Sequence, residues 1–433
     1  MKNLNICIAG LGNVGSSVIK SIQENHSYLK DKSSIEFNIL GISAKNKDKK
    51  RSINIEQFEW FDNPLELINI KKCDVLIELI GFEKDLSFDL IHAALSKKIH
   101  VVTGNKALIA KHGTELFNLA DKNNCLLLYE AAVAGGIPII KMIKNSLFLN
   151  KVKKISGILN GTTNYILTKM KEDNLNFDQV LSIAKEKGYT SDSESHLDID
   201  GIDSAHKLTI LSSLCFGSKL NFNNNEITGI SKLKIDDIFY AEKLGYNIKL
   251  ISEAYVMDNK IYSVTSPKLL DKNSPMANVN GVLNAINIET NHHENIFVEG
   301  EGAGGTATAS SIISDLYEIV SNSKISSLGY KSKALIDLEK FHTNSISSSY
   351  YLRIMTKDIP GVLSNITSLF KDLEISIKKI LQLPENNQSN SPIPIIITTH
   401  NVKKNQLIEA INKIELFDFV LEKISIISID NDD

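Results

Sequence analysis

A strand, a glycine turn and a helix in immediate succession constrain the start of this chain more than any other feature. Asn5-Ile6-Cys7-Ile8-Ala9 reads as a buried strand, Gly10-Leu11-Gly12-Asn13-Val14-Gly15 follows at once, and Ser16 to Glu24 has helical periodicity. A Gly-x-Gly-x-x-Gly turn says little alone and much more between a first strand and a helix. The glycines let backbone N–H groups approach a pyrophosphate, and the helix N-terminus favours its negative charge. Gly10, Gly12, Asn13, Val14 and Gly15 are the expected cofactor-binding turn. The competing reading is a glycine turn without a ligand.

The strand from Phe37 to Ser43 would end in Asp or Glu if the ribose 2′-hydroxyl of NAD were bound there. Here Ala44-Lys45-Asn46-Lys47-Asp48-Lys49-Lys50-Arg51 follows instead. With no acidic anchor and many cations, NADP is the expected cofactor, NAD the alternative, and Lys45 the leading contact to a 2′-phosphate. A solvated basic loop explains the same residues without a ligand. Cys73 to Gly81 is a further strand, Phe88 to Lys97 a helix with Leu90, Ile91, Ala94 and Leu95 at core spacing, and His100 to Thr103 the next strand. Strands and helices alternating at this length indicate a parallel, doubly wound sheet, whose ligands lie beyond the carboxyl ends of the strands. Thr103, Asn105 and Lys106 stand at such an end, where the lysine would face the cofactor crevice.

The 433 residues allow two or three domains. A net charge of −3 with scattered Lys gives no bias toward nucleic acid or membranes. Cys7, Cys73, Cys125 and Cys215 have no metal-ligand spacing and suit reduced core thiols. No signal peptide is read before the first strand and no apolar run approaches a membrane span, so a cytoplasmic protein is expected.

Tyr129-Glu-Ala-Ala-Val-Ala-Gly-Gly-Ile-Pro138 offers carbonyl oxygens and space rather than catalytic side chains. It reads either as a buried strand entering a tight turn or as a hinge between a nucleotide-binding and a substrate-binding half. Val152 to Leu159 then alternates like a strand and enters Asn160-Gly161-Thr162-Thr163-Asn164, a polar turn opening a helix. These residues suit simple capping, or a helix start whose free N–H groups hold a substrate carboxylate. An acidic loop follows Tyr189, and Asp203 and Lys207 share a helix face at i and i+4.

Glu299 to Thr306 is dense in glycine just before a helix from Ala307 to Val320, which implies close backbone approach. Residues 322–348 are rich in Ser and Lys and read as a linker. Beyond them, Tyr350 to Met355, a turn at Asp358-Ile359-Pro360-Gly361-Val362-Leu363 into a helix, Ile375 to Ile377, Pro394 to Thr398, Gln406 to Ile414 and Ile424 to Ile429 give a βαββαβ order, which is ferredoxin-like.

The segments Gly10 to Gly15, Thr103 to Leu108, Tyr129 to Pro138, Gly157 to Thr168, Gly201 to Leu211 and Gly300 to Ala309 together closely resemble homoserine dehydrogenase, in its long form with a C-terminal ACT domain. The segments around Tyr129, Asn160 and Lys207 are the most diagnostic. The resemblance implies reversible reduction of aspartate 4-semialdehyde to homoserine by NAD(P)H, within threonine, methionine and isoleucine biosynthesis. It implies Lys207 as proton donor, Lys106 as the second essential lysine near the nicotinamide, and Gly302 beside the cofactor. It places Gly161, Thr162, Tyr189, Asp198 and Asp203 at the substrate, and a sodium or other monovalent cation on backbone oxygens of Glu130, Val133, Gly135 and Ile137. It further implies a homodimer or homotetramer. The family's glutamate two residues after the tyrosine is Ser191 here, in a loop that looks one residue longer, so the ammonium contact falls to Asp192 or Glu194.

The expected architecture is an α/β protein. A Rossmann-like domain covers residues 1–130, completed by about 303–322, and an α+β substrate-binding, catalytic and dimerisation domain covers 131–302. A linker, 323–348, leads to a ferredoxin-like ACT domain, 349–433, that binds an amino-acid effector, with threonine the natural candidate, or serves as a stabilising appendage. A cofactor-binding amino-acid sensor with decayed chemistry is the alternative function, supported only by the altered loop.

Overall fold

The computed structural model describes residues 2–81, 85–193, 195–321, 325–383 and 392–430. Its first unit is a sheet of six parallel strands: β1 (Lys2–Ala9), β2 (Ile35–Ser43), β3 (Glu59–Phe61), β4 (Val75–Glu78), β5 (His100–Thr103) and β6 (Leu127–Leu128). Their spatial order, β3-β2-β1-β4-β5-β6, reverses direction between β1 and β4. That reversal opens a crevice at the carboxyl ends, where doubly wound sheets take ligands. Helices α1 (Asn13–Glu24), α2 (Leu86–Ser96) and α3 (Lys106–Asn123) make the crossovers. The central strands are buried on both faces, which explains their unbroken apolar character.

The second unit is a mixed sheet backed by α4 (Gly161–Asp173), α5 (Ile202–Phe216) and α6 (Ile235–Lys243). Its strands are β7 (Val152–Ile158), β8 (Tyr246–Met257), β9 (Lys260–Asp271), β10 (Leu283–Thr290) and β11 (Ile296–Glu301), in the order β11-β10-β7-β8-β9. Helix α7 (Gly305–Val320) then returns to the first unit, burying Ala309, Ile312 and Leu316 with Ile8 and Val18.

Residues 325–346, within the stretch expected as a linker, run along the second unit. Leu335 and Leu338 are buried, and the Ile336 N–H donates to Gly217 O at 3.0 Å. The apolar residues that pin this strap are too widely spaced to show periodicity.

The C-terminal unit contains β12 (Ser347–Thr356), α8 (Val362–Asp372), β13 (Ile377–Leu381), β14 (Ile393–Thr399), α9 (Lys404–Ile414) and β15 (Ser425–Ile429). Its order, β15-β12-β14-β13, is that of a ferredoxin-like sheet. One face, with Tyr350, Leu352, Ile354, Ile395 and Ile397, packs on its own helices. The other, with Tyr351, Ile396, Ile427 and Ile429, joins a core with Tyr165, Ile166 and Ile238 of the second unit. Strand β15 also pairs in parallel with β9, so the two sheets are continuous. Arg353 of β12 reinforces the seam through Asp237 of α6 (Nε–Oδ1 2.8 Å) and Glu422 (2.5 Å). Among the described residues no helix is long and apolar enough to cross a membrane.

Candidate active site

Helix α5 is almost wholly buried and starts at Gly201, whose φ of +81° suits glycine. Its first turn carries Asp203, and Lys207 lies one turn further on the same face. Lys207 Nζ donates to Asp203 Oδ2 and to the Leu159 carbonyl, each at 2.7 Å. Lys106 arrives from the first unit as the first residue of α3, and its Nζ lies 3.1 Å from Asp203 Oδ1. A cation at a helix N-terminus opposes the helix dipole. Its placement there is explained by what it faces, not by what it does for its own helix.

The same turn that ends β7 completes the cluster. Asn160 Nδ2 donates to Asp198 Oδ1 at 2.7 Å and to Asp203 Oδ2 at 2.9 Å. Thr190 Oγ1 donates to Asp198 Oδ2 at 2.8 Å, and Thr162 Oγ1 to the Tyr189 carbonyl at 3.0 Å. Gly161 opens α4 where a Cβ would lie 2.5 Å from Val282 O, so close backbone approach requires glycine there. Burial would raise the Asp203 carboxyl, but Lys106 and Lys207 outweigh it and hold the group well below the usual carboxylate range. Asp198 is pushed up, by burial and by Asp203, against the donors from Thr190 and Asn160.

Of the other substrate candidates, Tyr189 is partly exposed, with its ring 4.8 Å from that of Tyr165. Asp192 does not join the cluster. Its side chain is 92% exposed and pairs with Lys185 at 2.7 Å. Glu194 lies outside the described residues.

On the cofactor side, Gly10 has φ +103° and donates its N–H to Ser43 O at 2.8 Å. A Cβ on Gly15 would sit 2.0 Å from Gly10 O, whereas one on Gly12 would meet open space. Helix α1, with Asn13 and Val14 in its first turn, starts from Gly12 with no side-chain cap and no acid in that turn. Its first N–H groups thus remain available to an anion, as a pyrophosphate site needs. Thr103 Oγ1 donates to Glu78 Oε2 at 2.7 Å, and Glu78 Oε1 accepts the Ile80 N–H at 2.9 Å. This buried carboxylate lies at the strand end that faces the crevice; its signal in the sequence is a charge within the apolar run from Val75 to Ile80, at the last residue of β4. Lys45 is exposed just beyond β2. Arg51 folds the basic loop back, reaching Leu11 O at 3.4 Å and the Lys49 carbonyl at 2.9 Å. Nothing in the sequence ranked it above the neighbouring lysines.

The segment from Tyr129 to Pro138 is stitched to the glycine-rich approach to α7. Gly135 N–H donates to Gly302 O at 2.8 Å and Gly136 N–H to Glu301 O at 2.9 Å. The Glu130 carboxylate accepts the N–H groups of Ile140 and Lys141, both at 2.9 Å. Ser311 Oγ donates to Gly135 O at 2.7 Å, and the Ile139 N–H to Ile137 O at 2.7 Å. Val133 is fully buried between them. No group of three His, Cys, Asp or Glu side chains able to hold a metal occurs among the described residues.

The geometry is that of a crevice between a dinucleotide-binding sheet and a second unit, closed by two lysines on one aspartate. Residues 138–317 match the homoserine dehydrogenase family model, and residues 10–130 match the homoserine dehydrogenase NAD-binding domain. Homoserine dehydrogenase from Neisseria gonorrhoeae is 35% identical over 437 residues, covering 100% of this chain and 99% of the relative. The chain belongs to the homoserine dehydrogenase family. It is therefore placed among oxidoreductases, and the relatives give no support to a sensor without chemistry. The crystal structure of a homoserine dehydrogenase from Thiobacillus denitrificans superposes with a TM-score of 0.91 at 33% identity, covering 100% of this chain and 99% of that one. A hyperthermophilic archaeal homoserine dehydrogenase mutant in complex with NADPH matches 74% of this chain at 28% identity, with 98% of its own chain covered and a TM-score of 0.63. Residues 352–416 match an AHAS small subunit-like ACT domain.

Proposed function

We propose that this crevice reduces aspartate 4-semialdehyde to homoserine, and reverses the reaction, with Lys207 and Lys106 as its catalytic residues. The single observation that supports the reading best is that these amines, from separate halves of the molecule, meet at Asp203. NADPH, when bound, supplies the hydride. Two of the three Lys207 protons are engaged by Leu159 O and Asp203. The third serves the aldehyde oxygen, which gains negative charge and takes that proton as the alkoxide forms. Lys106, beside the cofactor end of the crevice, adds a second positive charge. Asp198 and Asp203 receive the substrate ammonium, while the α4 N-terminus at Gly161 and Thr162 receives its carboxylate. Asp192 and Glu194 are secondary candidates that would need the loop to close inward. NADPH oxidation with aspartate semialdehyde tests the reading. Turnover persisting in Lys207→Ala would overturn it.

The finer assignments follow from the same features. NADP is the proposed cofactor, its 2′-phosphate held by Lys45 and by Arg51, whose guanidinium already lies against the glycine turn. KM for NADPH and NADH in Lys45→Ala and Arg51→Ala measures this, and an unchanged preference in both would remove it. A monovalent cation fits the main-chain oxygens of Glu130, Val133, Gly135 and Ile137, since carbonyl ligation suits a hard ion in a segment so poor in free side chains. The C-terminal unit is proposed to bind an amino acid, threonine first, and to inhibit the enzyme in a homodimer or homotetramer. Its apolar face completes a core of the second unit, so full-length enzyme titrated with threonine is a better test than truncation. The pathway placement is cytoplasmic synthesis of threonine and methionine.

A further inference from the structure

We infer that Asn160 is a positioning residue, a strut that spaces Asp198 and Asp203, the two acids proposed to receive the substrate ammonium, and holds Asp203 on the two lysines. The inference rests on the roles proposed above for Lys207 and Asp203. Three bonds of the side chain are its own and a fourth is shared. Its Oδ1 accepts the Thr163 N–H at 2.8 Å, which caps α4, and shares the single Thr163 hydroxyl proton with the Asn160 main-chain oxygen, each 3.1 Å from Thr163 Oγ1. Its two Nδ2 protons go to Asp198 Oδ1 and Asp203 Oδ2. The opposite amide orientation would set an oxygen against two carboxylates and an NH2 against a backbone N–H, so the cap dictates which way the donors point. Asn160 is only 5% exposed, and no bulk water replaces those donors.

Bonded to one nitrogen, the two carboxylates stand close enough to repel. Asp203 meets Lys106 from α3 and Lys207 on its own helix. Asp198 is faced by Asp203 and Lys207 of α5, by the Thr190 hydroxyl and by Asn160. His196, on the same short helix (Ser195–Ile199), and Asp200, just past its end, are exposed. Asp198 therefore depends on neutral donors where Asp203 has cations. Removing the Nδ2 donor withdraws support from the ionised form of Asp198 and lets it lean toward protonation. A protonated Asp198 binds an ammonium poorly. The same loss frees Asp203 Oδ2 to pivot and carry Lys207 with it, so capture and turnover both suffer.

The deciding variant is Asn160→Ser, because serine still caps a helix but cannot donate two protons to the acids. We expect a folded enzyme whose kcat/KM for aspartate semialdehyde falls about ten- to a hundredfold, the usual range for a lost bond to a charged group. KM should rise and kcat fall, and the acid limb of the kcat/KM profile should move to higher pH. Asn160→Asp, which also keeps the cap and adds a third negative charge, should move that limb further. Wild-type constants and an unmoved acid limb in Asn160→Ser would reduce Asn160 to a cap. Failure of both variants to fold would do the same. Lys207→Ala assayed alongside separates the levels: if it retains turnover, the site reading itself fails. An inactive Lys207→Ala beside a normal Asn160→Ser fails only this inference.

Discussion

Two buried lysines of the second unit live in opposite electrostatic surroundings. Lys207 on α5 meets a carboxylate, Asp203, which Lys106 also reaches. Lys249 on β8 meets only neutral oxygens: Asn164 Oδ1 and Asn280 Oδ1 at 3.0 Å and Val279 O at 2.5 Å. All three of its protons are placed, yet burial, with Lys171 nearby, pushes its pKa down to about 8. Dipoles satisfy the geometry of an ammonium without matching its charge, whereas a carboxylate does both. The difference separates a lysine that fastens one loop from a lysine held on a carboxylate, as the proposed proton donor is.

The strongest way to break the contrast is to remove the active-site amine. Lys207→Ala should lower kcat by about a thousandfold, as expected for a lost proton donor and a lost positive charge at the developing alkoxide. Circular dichroism should remain that of the wild type. Asp203→Asn comes next, with kcat/KM down about a hundredfold as both lysines lose the group that aims them.

Lys249 sharpens the comparison from the other side. Its folded pKa lies below that of the free side chain, so between about pH 8 and the ordinary lysine value of 10.5 the unfolded chain binds more protons. Stability should therefore rise over that window, by about 2 kcal/mol, and the rise should vanish in Lys249→Met. Denaturant midpoints taken at both ends of the window give the slope directly. The smallest effect is expected at Asp192, whose pairing with Lys185 is exposed and screened by solvent. Asp192→Ala should leave the semialdehyde KM within about twofold, and a tenfold rise would show that the loop closes over the substrate.

The glycine turn and the Asp203–Lys207 pair were legible because each is a local pattern, a strand–turn–helix order and a one-turn spacing. The meeting of Lys106 with Lys207 was reached only through family resemblance, since the residues lie a hundred positions apart on different units. Asn160 was visible as a cap, while its second use, spacing two acids, depends on where Asp198 and Asp203 arrive in three dimensions. Leu159 contributes a carbonyl, for which no side-chain signal exists. The hairpin of β8 and β9 gave no strand pattern because Lys249, Ser252, Glu253, Thr265 and Lys268 are buried polar residues inside it. Their partners, such as Glu253 with Lys268 at 2.5 Å and Ser252 with Thr265 at 2.9 Å, come from the neighbouring strand. Asp192 shows the converse: register alone spoke for it, while its exposed place beside Lys185 depends on the path of the loop after Tyr189, which no local pattern gives.

The parallel seam of β15 on β9, aligning Lys268 with Ser428 and Leu269 with Ile429, limits how this C-terminal unit can be swapped. A chimera carrying a foreign ACT module would have to bring an edge strand of matching register and an arginine for Asp237. Without them the graft would leave open both a row of backbone hydrogen bonds and an apolar floor. Engineers wishing to retune effector choice should redesign the module in place and keep its join intact.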